Sequence, residues 1–303
     1  MVLVSVIIPV YNRSEELKRC IKSVLKQTIQ DFEIKVVDDC SDVDLKPIID
    51  DFNDSRIEYI RLDKKSNANV CRNVAINSAN GIYIAMLDSD DEWLSNHLQS
   101  KIADIETQKA DGVFGSCYID DGESKKLMES RPIGENESMS TYLLTDGKAP
   151  TPTHVYKSNC AKSIKWDESL LRHQDFDFSI RFAEQYKFIS TSDPTCIVHW
   201  KKNEKRLESI DSQIRFMKKH QRRIKPELYY KYFSELYSVI LERNDMDRKI
   251  IESVKSESTR FIKYCSLVQF LSIEGVGRNS IGRVLLRLKY CLRVLLADMF
   301  QFN

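Results

Sequence analysis

Three carboxylates, Asp88, Asp90 and Asp91, crowd into four positions at the end of the apolar run IAMLD. Like charges at that spacing raise one another's pKa unless a cation or a set of hydrogen-bond donors sits among them. The chemistry that suits them is cation binding: Mg²⁺ or Mn²⁺ takes one or two carboxylates, here Asp90, and lets substrate phosphates complete its shell. Asp88 is then free to accept from a ribose hydroxyl. The competing reading is a solvated turn with a capping Asp before a helix near Trp93; Asp91 itself reads as a helix-start charge. Two further polar clusters, Tyr11-Asn12-Arg13 and Asp38-Asp39, also close apolar runs. In RHQDFDF, Asp175 stands where a helical pattern begins; the N-terminal dipole there favours an ionised carboxylate, which can serve as a general base. Asp177 is its rival, and its phase two residues on suits a capping or structural role instead.

The elements that must position these groups follow from periodicity. Leu3 to Pro9 is mostly β-branched, and YNRSEELKRCIKSVLKQT then places Leu17, Ile21, Val24 and Leu25 on one helical face. Strand and helix keep alternating: FEIKVVDD, DLKPIIDDF, RIEYIRL, NANVCRNVAINSA closed by Gly81, and IYIAMLD. Such alternation predicts an α/β fold, a mostly parallel sheet covered by helices. In open sheets of that class ligands bind beyond the carboxyl ends of the strands, so one crevice can collect all three polar clusters. From about Leu98 the pattern changes to a helix reaching Lys109, a strand at GVFGSCYI, a polar stretch to about Asn136, a loop feeding a helix near Asp175, and a strand at TCIVHW. A catalytic domain over 1–206 is expected, with a nucleotide-binding half (1–97) and an acceptor half (98–206), followed by a helical, basic region over 207–303.

At 303 residues with 42% hydrophobic and 30% charged, the chain can bury a sizeable core. Its formal net charge of +1 is unevenly placed: after Trp200 there are 22 Lys and Arg against 12 Asp and Glu, so the front carries about −9. An acidic front argues against a nucleic acid ligand, and the basic remainder suits an anionic surface. The eight cysteines form no CxxC pair and have no histidine at zinc-finger spacing, which fits a reducing cytosol. The N-terminal run stops at Pro9, too short for a signal peptide or a span, and no other run reaches transmembrane length. Only nine glycines are present, with neither a P-loop nor a G-x-G-x-x-G, so phosphates must be held by another device.

The runs VSVIIPVYNRSEELKRCIKSVLKQTIQDFEIKVVDDCSD, NANVCRNVAINSANGIYIAMLDSDDEW and HQDFDFSIRFAE together resemble the family 2 glycosyltransferases, inverting enzymes of GT-A fold that take sugar from nucleotide diphosphates. The likeness covers about the first two hundred residues. It implies that Pro9, Val10 and Tyr11 pack on the nucleobase, that Asp39 accepts from the N3–H of a uracil-like base, and that Arg72 lies near base and phosphates. It also implies Asp88 facing the ribose, Asp90 as ligand of a divalent cation (Mn²⁺ or Mg²⁺), and Asp175 as the base that deprotonates the acceptor hydroxyl. Gln174 stands where the family usually has Glu, which leaves the base but changes what orients it. His199 falls where many relatives place a second metal ligand; a structural hydrogen-bonding histidine is the alternative. His154 and His173 flank the acceptor side without an assigned role. Trp93 and Trp200 suit either sugar stacking or a core position.

In IGRVLLRLKYCLRVLLADMF, Val284, Leu288, Cys291, Leu292 and Leu295 share one helical face and the basic residues lie largely elsewhere. That pattern fits an interfacial helix on the cytoplasmic leaflet, or a helix packed on its own domain or a second subunit. The expected partners are a nucleotide sugar, with UDP favoured, and a glycan acceptor that a membrane contact would make lipid-linked, as in capsule or O-antigen assembly. A non-catalytic nucleotide-sugar-binding protein or a membrane-associated scaffold is the alternative; Asp175 speaks against the first.

Overall fold

The computed structural model describes residues 2–200, 209–241 and 248–264. Strand β1 (Val4–Val10) is buried along its whole length, as a central strand covered on both faces must be. Helix α1 (Ser14–Leu25) turns Leu17, Cys20, Ile21 and Val24 inward, a three-to-four-residue spacing that lays one stripe on the sheet. Each such side chain is worth about 1.5–3 kcal/mol when fully buried. There follow β2 (Phe32–Asp38), α2 (Lys46–Asp50), β3 (Ile57–Arg61), α3 (Ala68–Ser78) and β4 (Tyr83–Met86). The strands β3, β2, β1 and β4 lie side by side and parallel, as the alternation predicts.

Beyond β4 come β5 (Glu92–Trp93), α4 (His97–Thr107), β6 (Gly112–Gly115), β7 (Cys117–Asp120), β8 (Lys125–Met128), α5 (Met139–Leu144), a 3₁₀ turn (Thr151–Thr153), β9 (Val155–Lys157), α6 (Ser158–Ile164), α7 (Gln174–Ala183), β10 (Phe188–Thr191) and β11 (Cys196–His199). The large sheet runs β10-β6-β9-β4-β1-β2-β3 and a smaller one β5-β11-β7-β8. Among the described residues, only β9 runs against its neighbours in the large sheet.

Two expectations are corrected. The run GVFGSCYI is two strands, not one: β6 stays in the large sheet and β7 joins the small one, with Ser116 buried at the break. A Cβ on Gly115 would sit 2.5 Å from Lys101 Nζ and 2.9 Å from the Thr191 carbonyl oxygen, so the crossing needs a glycine. No helix starts near Trp93 either; residues 92–93 pair antiparallel with β11, because Trp93 is buried, donates Nε1–H to the Pro152 carbonyl (2.7 Å) and stacks on His97. That leaves Trp93 no sugar to stack on.

The described residues fall into two compact units, one ending at Ser212 and one beginning at Gln213. Helix α8 (Ile210–Lys219) spans the division, and α9 (Pro226–Leu241) and α10 (Arg248–Tyr264) belong to the second unit, with Phe216, Tyr229, Phe233 and Val254 buried. The amphipathic stretch over 281–300 lies outside the described residues. Among those described, no helix is long and apolar enough to cross a membrane.

Candidate active site

Pro9 and Val10 end β1, and the next residues turn sharply because Asn12 takes a left-handed φ of 52°, a region Asn tolerates. Asn12 N–H donates to Ser41 Oγ (2.9 Å), and its side chain both donates to Asp42 (2.6 Å) and accepts from the Asp42 N–H (2.8 Å). The loops after β1 and β2 are thereby clamped together. Of the Asp38-Asp39 pair, Asp38 is consumed internally: it is fully buried and accepts from Ser41 and the Tyr59 hydroxyl. Asp39 lines the adjoining cavity, with Oδ1 held by the N–H and hydroxyl of Ser66 (both 2.7 Å). Lys65 lies 3.5 Å from its Oδ2 and over the ring of Tyr11; this cation went unread in the sequence.

Arg72, which the resemblance implies lies near base and phosphates, is 3% exposed. It donates to Asp88 Oδ1 (2.6 Å) and Asn69 Oδ1 (3.2 Å) and lies 4.5 Å over the Trp166 ring, while its Nε is buried without a hydrogen-bond partner. Trp166 is there because Asn73 brackets it, accepting from its N–H (2.8 Å) and donating to its carbonyl (3.0 Å). Asn67 and Asn69 likewise donate to the carbonyls of Glu168, Asp167 and Leu170. The asparagines of NANVCRN thus moor the segment that leads to α7, a task that spacing alone did not reveal.

The Asp88–Asp91 turn closes with the Asp91 N–H on the Asp88 carbonyl (3.0 Å). Asp88 remains partly exposed, and Asp90 Oδ1 is paired with Arg13 Nη1 at 2.5 Å. Asp91 is not a helix-start charge: it is 3% exposed and accepts the His199 N–H (2.9 Å), pinning the turn to β11. Burial, reinforced by Asp90 and Asp88, holds its pKa well above the ordinary carboxylate value. His199 Nε2 lies 3.0 Å from Glu92 Oε1. No three His, Cys, Asp or Glu side chains among the described residues come close enough to hold a metal by themselves. Asp88 and Asp90 still present the hard oxygen donors that Mg²⁺ or Mn²⁺ accepts when phosphate supplies the remaining ligands, so the donor set fits such an ion.

Asp175 is the second residue of α7, entered through His173 at a left-handed φ of 58°. Its Oδ1 accepts the Phe176 N–H at 3.0 Å. The expectation that the helix dipole keeps it readily ionised is corrected: desolvation outweighs the donors, and its pKa is raised. Asp177 is buried and bonded to Arg181 on the same helix (2.6 Å). His154 is a core residue between the Tyr156 hydroxyl and the Ala149 carbonyl, with burial pushing its pKa down to about 3.

Two cavities meet at Arg13, Asp88 and Asp90. One of about 340 Å³ is lined by Pro9, Val10, Tyr11, Asp39 and Arg72; the other, about 680 Å³, by Arg172, His173, Asp175, His199 and Trp200. Every site residue expected from the sequence borders one or both.

The glycosyl transferase family 2 model matches residues 5–171. The amylovoran biosynthesis glycosyltransferase AmsB of Erwinia amylovora is 32% identical over 64% of this chain and 69% of its own. The UDP-Glc:alpha-D-GlcNAc-diphosphoundecaprenol beta-1,3-glucosyltransferase WfaP of Escherichia coli is 38% identical over 40% of this chain and 48% of its own. Among solved structures, S. aureus TarS 1–349 superposes with a TM-score of 0.56 at 20% identity, covering 96% of this chain and 80% of that one; it has also been solved with UDP and with UDP-GlcNAc. That likeness establishes the GT-A type of fold.

Proposed function

The chain belongs to glycosyl transferase family 2, and on that premise we propose that it moves a hexose from a UDP-sugar, with inversion, to a hydroxyl of a lipid-linked glycan during surface polysaccharide assembly. The observation that carries the reading is the junction of the two cavities. Asp39 and Arg72 stand at the end suited to a base and diphosphate, Asp175 stands at the other, and the Asp88–Asp90 turn lies where they meet. Tyr11 offers a face to a pyrimidine, Asp39 an acceptor for its N3–H, and Asp88 an acceptor for a ribose hydroxyl.

Asp175 takes the acceptor proton as the hydroxyl attacks the anomeric carbon in line with the departing UDP. A raised pKa suits this, since a stronger base removes a hydroxyl proton more readily. Arg72, fixed against Trp166, offers positive charge to the leaving diphosphate. Asp90 would hold a divalent cation, with His199 joining once it leaves Glu92; when bound, the ion acts as a Lewis acid toward the diphosphate. WfaP, by its name, uses a diphosphoundecaprenol acceptor, which supports a lipid-linked acceptor here, and with it contact at the cytoplasmic face of the membrane. Residues 1–206 are proposed as the catalytic domain and 207–303 as the region for membrane or subunit contact.

Binding and hydrolysis of UDP-, dTDP- and GDP-sugars, with Mn²⁺ or EDTA, test this on the native chain and on Asp90→Ala and Asp175→Asn. Metal-dependent binding of one UDP-sugar, lost in Asp90→Ala, with turnover alone lost in Asp175→Asn, is the expected result. Failure of every nucleotide sugar to bind overturns it.

A further inference from the structure

Arg13 borders both cavities and a third of about 310 Å³ that reaches Glu15, Arg19, Asp120 and Trp200. What aims it is backbone: the left-handed turn at Asn12, held by Ser41 and Asp42, leaves Arg13 (φ −133°, ψ 85°) at the N-cap position of α1, with no side-chain hydrogen bond to that helix. Its guanidinium therefore reaches across to Asp90, while Arg19 farther along α1 donates to the Asp90 backbone carbonyl and keeps the turn in place.

The two arginines paired with the carboxylates of the turn differ in freedom. Arg72 is 3% exposed and wedged among Asp88, Asn69 and Trp166. The Arg13 and Asp90 side chains are 35% and 25% exposed, so water screens their attraction and the pair parts easily. A divalent cation taking the Asp90 oxygen would also meet a guanidinium 2.5 Å from it, and like charges cannot share that oxygen without a large Coulomb cost. Planar guanidinium matches phosphate in a bidentate fork, and the diphosphate's place lies in the cavity that Arg13 already borders.

We propose that Arg13 is an exchangeable counter-ion: it holds Asp90 while the metal is absent, yields that carboxylate to the cation, and turns to the diphosphate of the bound nucleotide. This rests on the proposed metal role of Asp90, and the test separates the two. Mn²⁺ is titrated by calorimetry into the full chain without nucleotide, and UDP is then titrated at saturating Mn²⁺, for the native chain, R13M, R13K and D90N. R13M is expected to bind Mn²⁺ about two- to fivefold more tightly, the range for a partly exposed ion pair, and to bind UDP several-fold more weakly; R13K lies between. Unchanged or weaker Mn²⁺ binding in R13M, with binding abolished in D90N, overturns the counter-ion role and leaves the metal site standing. Mn²⁺ binding that survives in D90N, or is absent from both the native chain and R13M with UDP as well as without it, removes the metal assignment and the inference with it.

Discussion

At Asp175 two physical effects oppose each other, and the sequence discloses only one. A helix start stabilises a carboxylate by a few tenths of a kcal/mol to about one, whereas desolvation at the cavity wall raises its pKa by more than the Phe176 N–H and the Arg72 charge lower it. Asp175→Asn should lower kcat by about 10²–10⁴, the usual worth of a general base, while leaving UDP-sugar affinity within about twofold in a binding titration. Because a base works only when deprotonated, kcat should fall as pH drops through the raised Asp175 pKa. The acid limb of the pH–rate profile should therefore lie above the ordinary carboxylate value of 3.8, and a limb at or below that value would show that another group sets it. At Trp200, 43% exposed on the cavity rim, an alanine substitution should raise the KM for acceptor and leave the KM for donor unchanged, since it lines the larger cavity with Asp175 and not the one lined by Asp39 and Arg72.

The elements act through how they are tied. Helix α3 carries Arg72 into the site and, through Asn67, Asn69 and Asn73, fastens the segment that delivers Asp175. Asn73→Ala removes both bonds to the Trp166 backbone and its bond to Glu168. Leaving the buried Trp166 backbone groups unpaired should cost about 1–3 kcal/mol in urea unfolding and lower kcat as Trp166 loosens under Arg72. Where β6 hands over to β7, Gly115→Ala would press a methyl against the Thr191 carbonyl at 2.9 Å. That contact is with backbone, so a comparable loss of stability is expected.

For the whole molecule, buried histidines contribute to the response to acid. His154 titrates normally near 6.5 when unfolded but only near about 3 in the fold, and burial drives His97 down as well. A depressed histidine leaves the folded state with fewer bound protons, so its contribution to stability is intact above about 6.5 and is lost as pH falls from there toward about 3. The slope is about 1.4 kcal/mol per pH unit for each such histidine. Asp91 and Asp175, with raised pKa values, act in the opposite sense. The clean comparison is the native chain against His154→Gln in urea unfolding at pH 7 and 5.5: the variant should lose less stability between the two, and parallel losses would refute the assignment.

The order of strands and helices through β4 was legible in the sequence because β-branched runs and a 3.6-residue apolar stripe are local properties. The clusters that hold Asp39, Asp88, Asp90 and Asp175 also stood out, as carboxylates at strand ends and a helix start, while the choice of Asp39 over Asp38 came from the family resemblance. Local patterns do not carry the partner across the fold. Nothing near Asp90 in the chain names Arg13, nothing near Arg72 names Trp166, and nothing beside Asp91 marks it as the pin for His199. The transfer of the chain from one sheet to the other at Ser116 was equally hidden, because both strands read as one apolar run. Residue types and local pattern set which groups are candidates to bind and react; tertiary structure alone decided which charges face each other and how far water reaches them, because both depend on residues distant in the chain brought together by packing.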